Sequence, residues 1–183
     1  MSVATQAIPT GTYKDDGVHS NIGFEVKHMV VATFRGRFDE FEANLTVDEN
    51  GAAKLVGIVE TNSVKVKDDN LAGHLQSPDF FDAERTPQLR FESTRFDVAD
   101  DGTVAVEGDL TIKGHTERVT GTGTATGPIE DFAGNHKLAV NLETVIDRTK
   151  FGLNWNAPLP KGGFALSDDV KLVIELELVK VEA

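Results

Sequence analysis

Apolar and polar residues alternate with a period of two along most of the chain. Ile22, Phe24, Val26 and His28 interleave with Gly23, Glu25 and Lys27, the pattern of a half-buried strand. Phe41, Ala43, Leu45 and Val47 repeat it as far as the turn signal Asp48 to Gly51, and residues 55–59 then read as a strand apolar on both faces. Leu89 and Phe91 open another strand after Pro87. Val104, Val106, Gly108, Leu110 and Ile112 alternate behind the turn Asp100 to Gly102, and Val170, Leu172, Ile174, Leu176 and Leu178 form the last run. Residues 116–126 and 138–146 are also compatible with strands, linked by a loop carrying Gly134 and Asn135. About eight strands with hairpin-length connections favour an antiparallel meander over parallel units joined by helices.

Two stretches depart from the alternation. The spacing of Phe34, Phe38 and Phe41 breaks it once, which predicts a bulge or bend between Gly36 and Glu40. Between Asp68 and Glu84, Leu71, His74 and Leu75 fall at helical spacing, and Ser77-Pro78 reads as an N-cap and first position of a second short helical turn. A crossover of this kind closes one mouth of a barrel. Without internal repeats or a linker rich in Pro, Gly or Ser, residues 1–183 read as one domain, with 1–9 a loose N-terminal extension.

Composition narrows the function classes. A net charge of -12 and a pI near 4.8 argue against nucleic acid, whose nonspecific affinity comes from clustered Lys and Arg. The absence of cysteine removes disulfides, thiolate metal sites and a cysteine nucleophile. No segment approaches the ~20 apolar residues of a membrane helix, so no stable membrane insertion is expected. The opening residues lack the basic and apolar regions of a secretory signal, which leads to the expectation of a cytoplasmic protein.

The candidate chemistry is sparse. His19 and His28, if in one continuous strand, face opposite sides about 30 Å apart and share no metal. The histidines at 19, 28, 74, 115 and 136 show no ligand spacing, and no metal is expected. Asp15, His19 and Ser20 contain the residue types of a catalytic triad, but adjacency in sequence does not supply the geometry. The segment GTGTATG (Gly121 to Gly127) looks like a phosphate loop, yet Pro128 follows where a helix should start and its threonines favour strand. The acid pairs Asp15-Asp16, Asp100-Asp101 and Asp168-Asp169 sit beside turn residues. Eleven Phe against one Trp and one Tyr suit a dry interior. A small eight-stranded barrel either fills that interior or encloses one ligand, and periodicity does not choose between the two.

Five blocks of the chain, Asp15 to Met29, Phe34 to Phe41, His74 to Ser93, Val106 to Val119 and Ile146 to Trp155, together resemble the YceI-like family. The resemblance implies a lipocalin-like antiparallel barrel that binds isoprenoid quinones or related long-chain lipids, places His19-Ser20 in the opening strand, and calls for no cofactor besides the bound lipid. Where many members carry Arg-Asp ahead of the His-Leu of the crossover, this chain has Leu71-Ala72, which makes the mouth more apolar. Well-known relatives are periplasmic.

The expectation is therefore an all-β, single antiparallel eight-stranded lipocalin-like β-barrel with a short helical crossover near residues 68–84. It would store or carry a polyisoprenoid without catalysing a reaction. Lining positions are expected at Ile22, Phe24, Val26, Phe34, Phe38, Phe80, Phe81, Leu110, Ile112, Phe151 and Trp155. His74 and Arg148 are expected near a head group, or Arg148 in a buried pair with Asp147. Burial contributes roughly 3 to 4 kcal/mol of gross transfer energy per isoprene unit. Set against association costs of about 4 to 15 kcal/mol and a competing membrane, this implies binding with release. The alternatives are an isomerase or cyclase acting on a small apolar substrate in the same cavity, and a filled structural barrel working through its surface as a homodimer.

Overall fold

The computed structural model describes residues 7–181, a nearly all-strand chain with one α-helix. In chain order the strands are β1 (Gly11–Asp15), β2 (Asn21–His28), β3 (Ala32–Phe38), β4 (Phe41–Val47), β5 (Ala53–Glu60), β6 (Val64–Lys65), β7 (Gln88–Val98), β8 (Thr103–Ile112), β9 (His115–Glu130), β10 (His136–Asp147) and β11 (Leu166–Lys180). The helix α1 (Asp69–Gln76) lies between β6 and β7. All pairings are antiparallel. The ring runs β1-β4-β5-β7-β8-β9-β10-β11 and closes where β11 pairs back onto β1, giving the eight-stranded barrel that the alternation predicts. Closure leaves that ring without a free edge.

The opening wall is broken in two. β1 and β2 lie end to end along β11, Asp15 opposite Leu178 and Asn21 opposite Glu175. His19 and Ser20 therefore sit in the connection between two half-strands and not in a continuous opening strand, which corrects that expectation. The break is stabilised locally: Asp16 accepts from Val18 N and binds His19, while Ser20 Oγ both donates to the carbonyl of Glu177 and accepts from its N–H. The bend expected near Gly36 to Glu40 falls at Asp39–Glu40, between β3 and β4. β3 pairs with β2 along its whole length but on its other edge only with the two-residue β6, and the crossover fills the space there. Asp68 caps α1 by accepting from Leu71 N at 2.9 Å. Ser77 closes the helix, donating Oγ to the His74 carbonyl at 2.6 Å. A run of hydrogen-bonded turns follows it, so the second helical segment expected at Ser77-Pro78 does not form.

The interior has two zones. At the end bearing the 48–52, 99–102 and 131–135 turns, Tyr13, Leu45, Leu55, Phe96, Val104, Val140 and Leu178 form a filled floor. Ile8 packs against it and the Tyr13 hydroxyl donates to the Pro9 carbonyl at 2.8 Å. The end of the expected N-terminal extension is thus held at residues 8 and 9, while 1–6 lie outside the described residues. At the other end, Phe24, Phe38, Leu75, Phe80, Phe81, Leu110, Ile112, Phe151 and Leu153 form a second cluster.

The segment GTGTATG is strand and belongs to β9. Its threonines at 120, 122, 124 and 126 are exposed, whereas Val119, Gly121, Gly123, Ala125 and Gly127 are half-buried or buried. The inward face of β9 is thus nearly bare. Backbones approach closely there: a Cβ on Gly123 would lie 1.7 Å from the Asn141 carbonyl oxygen of β10. Gly127 and Pro128 form a bulge against Lys137–Ala139.

A buried arginine holds the connection between β10 and β11. Arg148 is 4 % exposed; it donates to the carbonyls of Ser167, Leu153 and Trp155 and lies 3.6 Å from Asp168. Asp147 instead accepts from Thr149 N and Oγ1. The expected Arg148–Asp147 pair is replaced by Arg148 on carbonyls and Asp168, because two carbonyls of the loop and that of Ser167 in β11 turn toward the guanidinium and need donors. Burial pushes the Arg148 guanidinium below its ordinary value.

Three outcomes are expected. Gly123→Ala should cost about 3 kcal/mol or more, since the added methyl meets a ladder carbonyl that has nowhere to go. Gly57→Ala on β5, with nothing within 4 Å of its Cβ, should be neutral or stabilising by about 0.5 kcal/mol; urea melts compare the two. Arg148→Met should lower stability by about 3 kcal/mol by orphaning carbonyls. At the floor, the hydrogen bond to Asp16 and then the charges of Asp16 and Glu177 raise the His19 pKa. Its contribution to stability is complete below the unfolded value of about 6.5 and fades as pH rises through the higher folded value. The melting temperature should therefore fall slightly between about pH 6 and pH 9, and His19→Gln should flatten that slope.

Candidate functional site

Between the second cluster and the mouth the barrel encloses a cavity of about 550 Å³, within the ordinary range for small-ligand sites. Its walls come from β2, β3, β5, β7 to β11 and α1. The alternation explains the wall residues. On β2, Ile22, Phe24, Val26 and His28 all reach the cavity, and on β11 so do Val170, Leu172, Ile174 and Leu176.

Two aromatic groups shape it. Phe24 packs with Phe34, Phe38 and Phe81 at ring separations of 5.9 to 6.4 Å, and Phe38 meets Phe81 edge-on at 5.5 Å. Gly36 makes this possible, since a Cβ there would lie 2.4 Å from the Phe24 ring. Near α1, the His74 ring stands edge-on to Phe80 at 5.0 Å and to Trp155 at 4.9 Å, and its Nε2 lies 3.0 Å from Asp79 Oδ2. His74 thus points its ring at aromatics and its polar edge at a carboxylate.

Of the residues expected to line a ligand, Ile22, Phe24, Val26, Phe34, Phe38, His74, Phe80, Phe81, Leu110, Ile112, Arg148 and Trp155 do border the cavity. Phe151 does not. It is 1 % exposed and packed within the surrounding core, because the turn Arg148–Phe151 folds it away from the cavity. Arg148 reaches the wall, but its donors are committed to the loop carbonyls. The unexpected contributors include Gly57, Leu89, Phe91, Val119, Gly121, Leu142, Leu172 and Ile174. Leu172 and Ile174 were available from the β11 alternation; the glycines carry no positive signal in a sequence, since what they contribute is missing volume. Leu71, where the resemblance led to notice of a missing Arg-Asp pair, also lines the cavity.

The other candidate groups lie elsewhere. Asp15 Oδ1 accepts from Ala43 N at 2.7 Å, His19 binds Asp16, and Ser20 is engaged with Glu177, so these three do not form a relay. Asp16, His19 and Glu177 place ligand atoms within 4.8 Å of one another. The Lys137 ammonium already stands there, 2.6 Å from Glu177 and 3.6 Å from Asp16, so the cation of that cluster is the chain's own. Among the described residues no helix is long and apolar enough to cross a membrane.

Comparison with known proteins agrees with this geometry. A UPF0312 protein of Staphylococcus aureus (strain bovine RF122) is 32% identical over 168 residues, covering 88% of this chain and 94% of its own. BcnA of Burkholderia cenocepacia superposes with a TM-score of 0.75 at 24% identity, over 91% of this chain and 99% of that one. The YCEI protein of Campylobacter jejuni gives 0.70 at 26% identity, over 91% and 96%. A polyisoprenoid binding domain from Saccharophagus degradans, implicated in plant cell wall breakdown, gives 0.68 at 15% identity, over 94% and 100%. The family model of the YceI-like domain matches residues 13–178, from the first ring strand to the last, and the chain belongs to the YceI-like family.

Proposed function

We propose that the barrel binds the chain of a polyisoprenoid, such as an isoprenoid quinone, in its cavity and carries or stores it without catalysing its conversion. The observation that carries this reading is the unfilled, apolar half of an otherwise closed barrel, walled by Phe, Leu and Ile and floored by a packed core. At about 30 Å³ per water-sized group, the 550 Å³ cavity takes roughly 18 such groups, or three to four isoprene units. A longer chain leaves its remainder and its head group at the mouth. The description of the Saccharophagus degradans domain as polyisoprenoid binding supports the same ligand class.

The polar groups available at the mouth set limits on head-group recognition. His74 is engaged with Asp79 and packed against Phe80 and Trp155, and Arg148 is held by carbonyls, so affinity comes from chain burial more than from head-group contacts. Such a site selects by length and girth. It releases to a membrane readily, since the bilayer offers nearly the same apolar surroundings.

Trp155 is the single tryptophan and borders the cavity, so its emission should change on titration with a short-chain ubiquinone and stay unchanged with the bare quinone ring. Gly57→Phe, which places a ring in open space, should weaken that titration at least about tenfold with little loss of stability. Native mass spectrometry after detergent-free purification, with extraction of what is released, should recover a stoichiometric polyisoprenoid. A bare mass that stays bare with quinones and prenyl lipids would sink the reading; a chemically altered chain would point to the isomerase or cyclase instead.

A further inference from the structure

The mouth end of the barrel carries an apolar tip that the cavity does not use. Met29, Val30 and Val31 form the β2–β3 turn, and Val30 and Val31 are 82 % and 86 % exposed. Met29 and Val30 have φ of 54° and 65°, a left-handed backbone in which a β-branched residue is an outlier and Gly or Asn sits without strain. Water solvation gives no reason to keep valines there. The Met29 N–H donates to the Ala165 carbonyl at 2.7 Å, which fixes the turn beside Phe164, itself 61 % exposed. His28, Ala32 and Ala165, flanking this tip, all line the cavity.

The turns at the floor and three of the connections at the mouth differ in the sign of their charge. The floor turns 48–52, 99–102 and 131–135 carry Asp48, Glu49, Asp100, Asp101 and Asp131 and no Lys or Arg. At the mouth, the connections 29–31, 113–114 and 148–165 carry Lys113, Arg148, Lys150 and Lys161 and no Asp or Glu. The fourth mouth connection, the crossover, is acidic, with Asp68, Asp69, Asp79, Asp82 and Glu84 against Lys67 and Arg85, so the basic residues belong to the other three connections. Within a chain of net charge -12, Lys150 and Lys161 lie in the connection to which the tip is hydrogen-bonded and give that side of the rim a local positive charge that an anionic surface attracts.

We propose that this end docks on an anionic lipid bilayer, with Val30, Val31 and Phe164 entering the interface and Lys150 and Lys161 meeting lipid phosphates. Neither signal suffices alone: a few side chains bury little area and two or three lysines attract weakly, but together they give reversible attachment. Docking puts the cavity mouth at the membrane surface, where a chain moves between bilayer and barrel without crossing water. The proposal takes its purpose from the lipid-holding reading; its test does not depend on it.

The experiment is cosedimentation with unilamellar vesicles containing no isoprenoid, either equimolar phosphatidylcholine and phosphatidylglycerol or phosphatidylcholine alone. The protein should partition onto the mixed vesicles at low salt and several-fold less onto phosphatidylcholine or at high salt. The double variant Val30→Asn/Val31→Ser, whose changes are exposed and relieve the tip backbone, should bind about tenfold more weakly, and Lys150→Glu/Lys161→Glu should remove the preference for phosphatidylglycerol. No partition onto mixed vesicles, equal partition onto both kinds, or an unchanged double variant would overturn the proposal. So would a dimer in sedimentation velocity that the tip variant disperses while vesicles bind nothing, which would assign the tip to a second copy. Ubiquinone uptake from detergent micelles, followed by native mass spectrometry, is measured in parallel. Its loss in the unaltered protein would count against the cavity reading and leave the docking result standing.

Discussion

An eight-stranded barrel is just wide enough for its own side chains to fill it, so a cavity exists only where inward positions are left nearly bare. β9 meets that constraint. Its inward face runs Val119, Gly121, Gly123, Ala125, Gly127, and Val119 and Gly121 border the cavity together with the longer side chains of β2, β3 and β11. Where the floor needs contact, Tyr13, Leu45, Phe96 and Leu178 supply it; where the mouth half needs room, glycines on β5 and β9 withhold it. The same bareness lets β9 and β10 approach closely at Gly123, beyond the stretch Val119 to Gly121 that borders the cavity.

A hollow half must be held open by something other than its contents. Closure of the ring through β1 and β11 removes one degree of freedom, and the filled floor anchors the other end of every strand. At the mouth, Arg148 gathers the carbonyls of Leu153, Trp155 and Ser167, tying the long β10–β11 connection to the wall. The capped helix α1 places Leu71, His74 and Leu75 over the gap where β3 lacks a full partner. The cavity is therefore framed by satisfied polar groups and lined by apolar ones, as preformed small-ligand sites are.

Legibility differed by feature, and the reasons are physical. The β2 and β8 alternation identified Ile22, Phe24, Val26, Leu110 and Ile112 as wall because side chains of a strand change face at every residue. The spacing of Phe34, Phe38 and Phe41 located the bend at Asp39–Glu40 because a period of two cannot absorb an odd step. Phe151 misled, since a short helical turn after Asp147 rotates it into the surrounding core, and such turns leave no periodic trace. His19 and Ser20 misled for a related reason: β1 and β2 look like one strand, but a turn at Asp16 to His19 interrupts it while both halves run on along β11. Arg148 was recognised as a buried cation, but its partners are mostly carbonyls, which have no letter of their own in a sequence.

What the sequence by itself determined is the class: strands from the period, hairpins from the turn residues, one capped helix, an apolar interior, and through five blocks taken together the family. Those are local properties, fixed by residues near one another in the chain. Whether the interior is filled or hollow was decided only by the tertiary structure, because volume is a sum over strands distant in sequence. The direction of the mouth, the gathering of basic residues on one side of it and the floor of acidic turns were likewise decided there, since ring closure alone determines which turns share an end.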